Sequence, residues 1–257
     1  MAEAPAARLA ALIQELARAH AAKTPPPRGL PYLGLEHASG TSFHLLEALA
    51  ARGIFRKYEL VLDLGAGLGA SSRWLAARLG CEVVGTTADS AEAMAAALLT
   101  RRVGLAAQVR FVAATAALPF RPGRFTHVWI LEALPIFAAV DAVLGEAYHA
   151  LRRGGTLAVQ DLVVEAHGET FPPGWRPATL KERADALVRA GFTDLEIRDR
   201  TGEATETSAP ALALRGRLVG RLHDEPALAD VLATRETLAA SLTAGRLRVV
   251  QLLARRP

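Results

Sequence analysis

Residues 61–80, "VLDLGAGLGASSRWLAARLG", decide how the rest of the chain is read. A short apolar run ends in Asp63, and Gly65, Gly67 and Gly69 follow at every second position. Two serines come next, then a helix-like segment closed by Gly80. Glycines so placed let a ligand approach the main chain closely, because a Cβ there would intrude or block a positive φ. The stretch predicts a strand, a tight turn and a helix, with a ligand at the turn.

From Tyr58 onward the pattern alternates. Strand-like runs occur at "ELVLDLG", "CEVVGTT", "VRFVAA", "FTHVWILE", "TLAVQDLVV", "DLEIRD" and "RLRVVQLLA". Helix-like segments at 70–79, 90–102, 138–151 and 179–190, and material between 208 and 243, separate most of them. Short apolar strands alternating with helices predict a doubly wound α/β fold, its sheet covered on both faces. Asp89 with Glu92, and Thr179 with Glu182, have capping-box spacing, and Gly80, Gly154 and Gly191 stand where helix ends are expected. In such sheets ligands bind beyond the carboxyl ends of the strands, where the strand order reverses.

The 257 residues suit one large α/β domain or a domain with a small appendage, and a 51% hydrophobic content supplies a sizeable core. The net charge of +4 comes almost wholly from scattered arginines, the lysines being Lys23, Lys57 and Lys181. No run of basic residues suggests a nucleic-acid partner. The lone Cys81 cannot build a zinc site of the CxxC kind, and no metal is expected. No window approaches a membrane span, so a cytoplasmic protein without membrane or nucleic-acid partners is expected, its oligomeric state left open. The amino terminus, with Leu9, Leu12, Ile13 and Leu16 on one stripe, reads as an amphipathic helix, followed by a proline-rich linker. A second helical stretch, "SFHLLEALAARG", completes an N-terminal helical cap over 1–57; residues 58–257 form the main domain, with a helical insert at about 202–244.

Two cofactor classes use a glycine turn of this kind. "GAGLGA" satisfies the G-x-G-x-x-G/A of dinucleotide sites, with Gly65, Gly67 and Ala70, which leaves an NAD-binding oxidoreductase as an alternative. A pyrophosphate at the helix amino terminus would, however, be repelled by Asp63. S-adenosylmethionine (SAM) carries a cationic ammonium and sulfonium and no phosphate, so the same carboxylate favours it.

Several motifs then fall in order. "VLDLGAGLG" is followed by "LPF" at 118–120, "VWILEAL" at 128–134, "EAYHALRRGGTLAVQDLV" at 146–163 and "RADALVRAGF" at 183–192. In this the chain resembles the class I SAM-dependent methyltransferases over residues 30–200 and the last strand. "YLGLEHASG" (32–40) and "FPPGW" (171–175) are similar to the small-molecule branch, with its glycine-betaine-forming N-methyltransferases, tocopherol and sterol methyltransferases and polyketide-tailoring enzymes. The resemblance implies a Rossmann-like seven-stranded sheet, mostly parallel with an antiparallel last strand, and SAM-dependent methyl transfer to a small-molecule substrate. It places SAM against Asp63, Gly65, Ala66, Gly67 and Gly69, with Thr87 and Ala88 after strand two, Ala114 and Thr115 after strand three, and Leu131 on strand four.

Three acids of the family pattern are absent. Thr87 stands where an acid usually grips the ribose, Ala114 where one faces the adenine, and strand four opens Phe125–Thr126 where "FD" is usual. Asp89 lies two residues late and fits better as a helix cap. The departures leave open a methyltransferase fold whose SAM site is residual or structural and whose reaction is another, such as a cyclisation. Candidates for chemistry are Glu132 at the end of strand four and His37 in the segment that folds over the cofactor in the resembling branch. Tyr32 and Trp175, from the two Pro/Gly-rich segments, are candidates to line the substrate pocket.

Overall fold

The computed structural model describes residues 6–11, 43–50, 56–114, 117–168, 170–204 and 229–257. Helix α1 spans Phe43–Ala50 and leads to strand β1, Leu60–Asp63. Then come α2 (Ala70–Leu79), β2 (Glu82–Thr87), α3 (Ser90–Arg102), β3 (Val109–Ala113) and β4 (Phe125–Leu131). A short 3-10 turn at Leu134–Ile136 precedes α4 (Val140–Ala150), β5 (Leu151–Val163), α5 (Leu180–Arg189) and β6 (Thr193–Asp199). Helix α6 (Ala229–Thr243) and β7 (Arg248–Arg255) complete the described elements. All seven strand-like runs are strands, and they form one sheet in the order β3-β2-β1-β4-β5-β7-β6. β7 runs antiparallel to both β5 and β6, and the other pairings are parallel.

Alternation along the strands builds two cores. Val128 and Ile130 of β4, with Leu157 and Val159 of β5, pack against Val143, Leu144 and Ala147 of α4 and Ala186 and Leu187 of α5. Trp129 and Ala158 point the other way, to Leu46 and Leu49 of α1 and Trp74 and Leu75 of α2. Helix α1 packs against this face of the sheet through Leu46 and Leu49. A third cluster joins Leu45 to Leu162, Leu238, Leu242 and Val249. Leu12, Ile13 and Leu16, and most of the insert at 202–244, lie outside the described residues.

Local chemistry fixes the helix ends. Asp89 accepts from the Glu92 amide at 2.8 Å, which makes it the cap of α3. Thr179 and Glu182 form a reciprocal capping box on α5. Gly80, in the left-handed region, closes α2. Gly154, expected at a helix end, instead lies within β5 at φ 71°, where its amide donates to the Arg256 carbonyl at 2.8 Å.

β5 is tied to α5 by a buried ion pair, Arg183 Nε to Asp161 Oδ2 at 2.5 Å. Removing one partner leaves a buried charge uncompensated. Asp161→Ala should therefore cost about 3–5 kcal/mol in denaturant unfolding, against about 1 kcal/mol for Thr179→Ala, which removes only an exposed cap. Equal costs would show that the pair contributes no more than a surface contact.

Candidate active site

The strand order reverses between β1 and β4, so the cleft opens where these two strands end. The turn after β1 occupies that point. Gly65, Gly67 and Gly69 all have positive φ, at 74°, 54° and 79°. Their reasons differ. A Cβ on Gly65 would stand 2.5 Å from the Ala133 Cβ, and one on Gly69 would stand 2.3 Å from the Phe111 ring. These two glycines are demanded by the protein's own packing. At Gly67 the nearest atom would be Glu92 Oε1, 3.9 Å away. Among the described residues, Gly67 is the one of the three that no neighbouring side chain crowds.

Asp63 is 1% exposed, and its Oδ2 accepts from the hydroxyls of Ser71 (2.7 Å) and Ser72 (2.6 Å). The carboxylate thereby caps the first turn of α2 from strand β1 and places negative charge at the helix amino terminus. Burial pushes its carboxyl up to about 6 against the pull of the two serine bonds. Ala66 is buried beneath the turn, its amide donating to the Thr86 carbonyl at 2.8 Å, while the Gly65 amide donates to Thr86 Oγ1.

At the end of β2, Thr87 is 2% exposed and its hydroxyl donates to the Asp89 carbonyl at 2.9 Å. Ala88 is exposed, and its amide donates to Glu92 Oε2 at 3.0 Å. Glu92 is thus the acid that overhangs the turn, held by Ala88 on one oxygen and reaching toward Gly67 with the other. Burial raises its carboxyl above the ordinary value. Sequence reasoning assigned Glu92 only to capping. The signal was one helical turn away from where an acid was sought: a side chain at the third position of α3 points back over β2. Ala114 is half-buried, and its amide extends the pairing of β3 to the Thr87 carbonyl.

Leu131 and Glu132 end β4. Glu132 is a non-glycine residue at φ 55°, a conformation tolerated only where surroundings impose it. Its amide donates to the Gln160 carbonyl at 2.6 Å, and its carboxylate accepts from Gln160 Nε2 at 2.6 Å. The following residue, Ala133, is the one packed against Gly65, which brings Glu132 beside the glycine turn. Trp175 lines a cavity of about 260 Å³ with Val164, His167, Phe171, Arg176 and Pro177, past the end of β5. The Arg176 amide donates to the Pro135 carbonyl at 2.7 Å, so this wall leans on the segment that follows Glu132. Tyr32, His37 and Thr115 lie outside the described residues. His127 is a core histidine, 2.9 Å from Thr126 Oγ1 and 3.8 Å from Glu59. Burial raises the Cys81 thiol to about 11, which leaves it inert as a nucleophile.

The Asp63 carboxyl ionises near 3.8 in an unfolded chain and near 6 in the folded one. The folded state therefore binds the extra proton, and the stability that this gives is complete below about 3.8 and lost as pH rises through about 6. Asp63→Asn should flatten the unfolding midpoint across that window. An unchanged slope would show that another group controls it.

Residues 62–159 match a protein family described as a methyltransferase domain. Among curated proteins, the chain is 32% identical over 167 residues to the sterol 24-C-methyltransferase of Eremothecium gossypii, covering 59% of this chain and 45% of that protein. It is 35% identical over 164 residues to methyltransferase GfsG of Streptomyces halstedii, covering 59% of each. The chain thus spans about half the length of these relatives. Among solved structures, the [4+2]-cyclase SpnF superposes with a TM-score of 0.69 at 25% identity, over 83% of this chain and 80% of that one. Residues 62–159 thus match a methyltransferase domain, and the seven-stranded sheet around them has the fold of the class I SAM-dependent methyltransferases.

Proposed function

We propose that the chain transfers the methyl group of SAM to a small-molecule acceptor bound between Glu132 and the 164–177 cavity. The observation that carries this is the join between the two halves of the cleft. The glycine turn abuts Ala133, and the next residue back along the chain is a strained Glu132 whose carboxylate is held by Gln160. Such strain persists where surroundings over-determine it, and it clusters at working sites.

The residues at the turn fit the cofactor. Among the described residues Gly67 offers open backbone, with the Glu92 carboxylate reaching toward it and the Asp63 carboxylate buried on Ser71 and Ser72 at the start of α2. That charge suits a sulfonium and an ammonium, and opposes a pyrophosphate at the start of α2. Glu92 stands in for the acid missing at Thr87 and would accept from the ribose hydroxyls. Ala88, Ala114, Thr115 and Leu131 would border the adenine and ribose, Ala114 leaving room without a charge. Bound SAM would supply a methyl group on its sulfonium sulfur, open to in-line displacement. The chain has to align the acceptor atom, exclude water and accept a proton where one is released. Glu132 is the group we assign to the acceptor, with His37 kept as a second candidate, and Trp175 and Tyr32 as candidates to line the substrate pocket.

The relatives support a small molecule as substrate, since one is named for sterols. No helix among the described residues is long and apolar enough to cross a membrane. A free, buried Cys81 fits the reducing cytoplasm, where we place the protein.

Calorimetry with SAM, S-adenosylhomocysteine and NAD tests the cofactor. Gly67→Leu should abolish binding of the SAM compounds, because the side chain would fill the open face of the turn. Glu92→Ala should weaken binding about 10- to 100-fold, as expected for a charge-assisted hydrogen bond, whereas Asp89→Ala should lower stability by about 1 kcal/mol and leave affinity unchanged. Tighter binding of NAD than of either SAM compound would overturn the reading. Labelled methyl transfer from SAM to a panel of phenols, amines, enols and sterols tests the reaction, and SAM binding without transfer to any of them would favour a non-methylating use of the fold.

A further inference from the structure

A row of amide side chains crosses the sheet behind Glu132. Gln160 of β5 stands beside Leu131 of β4 on one side and Gln251 of β7 on the other. Both glutamines are buried, at 1% and 3% exposure. Gln160 Nε2 donates to Glu132 Oε1 at 2.6 Å, and Gln251 Nε2 donates to Gln160 Oε1 at 2.9 Å and to the Leu45 carbonyl of α1 at 2.8 Å. Arg200 Nε donates to Gln251 Oε1 at 3.3 Å.

The orientation of a glutamine amide is ordinarily ambiguous. Here both ends of the row remove the ambiguity. A backbone carbonyl only accepts, so Gln251 must turn its NH2 to Leu45; a guanidinium only donates, so Gln251 must turn its oxygen to Arg200. With Gln251 fixed, its second N–H requires the oxygen of Gln160. The NH2 of Gln160 then has one direction left, toward Glu132. The row therefore has a single polarity, and it ends by offering a donor to a carboxyl that must accept. A donor so aimed favours the ionised carboxylate. Aliphatic side chains would fill this row without the cost of burying two amides, so its composition calls for a use beyond packing.

We propose that Gln160 is a positioning residue for Glu132. With its amide oriented by Gln251, it holds the Glu132 carboxylate ionised and in its left-handed backbone pose at the end of β4. Resting on the reading that the cleft takes a methyl acceptor, this defines the acceptor's chemistry: the accepting atom carries a proton when bound, as a hydroxyl, an enol or an ammonium does. The bond to that proton would break and free its electron pair to the acceptor, the new bond to the methyl carbon would form, and the bond from that carbon to the sulfonium sulfur would break with its pair left on sulfur. The proton passes to Glu132, which returns it to solvent after the product leaves.

The row can be read without cofactor or acceptor. The chain contains four glutamines, at 14, 108, 160 and 251, and no asparagine, so the side-chain amide region of a ¹H–¹⁵N spectrum holds four NH2 pairs. Gln160→Leu assigns the Gln160 pair by its loss. In Glu132→Ala the Gln160 and Gln251 pairs should both shift, the former upfield, while the Gln108 pair stays in place. With an acceptor that the parent protein methylates, Gln160→Leu should lower kcat about 10- to 100-fold, with SAM affinity and the acceptor KM changed less than about twofold. The exchanged pair E132Q/Q160E should restore thermal stability relative to Gln160→Glu alone, because each contact in the row keeps a donor and an acceptor. It should not restore turnover, since the carboxylate is then buried in β5. Unmoved Gln160 signals in Glu132→Ala, or a kcat in Gln160→Leu within about twofold of the parent, would overturn the proposal. Failure to bind SAM would instead strike the proposed function, and the amide spectrum would still decide the row.

Discussion

The cleft depends on one close approach, the main chain at Gly65 against Ala133. No Cβ fits between them, and the contact joins the turn after β1 to the turn after β4 across the point where the strand order reverses. A parallel sheet leaves its strand ends as separate loops, each free in principle to choose its own path. Here the loop that would cradle a cofactor and the loop that carries Glu132 are set in van der Waals contact. A second close approach, Gly69 under the Phe111 ring, fixes the far side of the turn to β3. Between these two points lies Gly67, which no side chain among the described residues crowds.

Charge is arranged around that turn at some cost to the fold. Asp63 is buried deeply enough that its carboxyl titrates near 6 and its serine partners only partly offset the desolvation. Glu92 is likewise held above its ordinary range by burial. Glu132 sits in a backbone conformation that a β4-to-loop transition does not require. Each feature alone would be removed by selection for stability, and together they surround one opening. The helical cap and box on α3 and α5, the buried Asp161–Arg183 pair and the two apolar faces of the sheet bring no such strain, and they hold the frame in which it is tolerated.

The absence of acids at Thr87 and Ala114 left two readings open from the order of residues, a SAM site of looser affinity or a residual one. Geometry redistributes the charge. The hydroxyl of Thr87 is turned inward to Asp89, and the acid that reaches the turn comes from Glu92 on the next helix. A departure from a motif at one position therefore does not measure the departure of the site.

What the sequence determined by itself was everything governed by short-range periodicity. Seven strands, the helices between them, the caps at Asp89 and Thr179 and the glycine turn follow from patterns within about ten residues, because alternation, capping and left-handed turns are local physics. The helix end expected at Gly154 failed for the same reason, since that glycine serves a contact with Arg256 a hundred residues away. Tertiary structure alone decided which glycine is left uncrowded, for that depends on Ala133 and Phe111, which are remote in the chain. It alone decided that Glu92 overhangs the turn. It alone aligned Glu132, Gln160 and Gln251, three residues with no sequence relation, into a row of one polarity. Register across a sheet is set by the burial of both its faces, and no window along the chain contains that information.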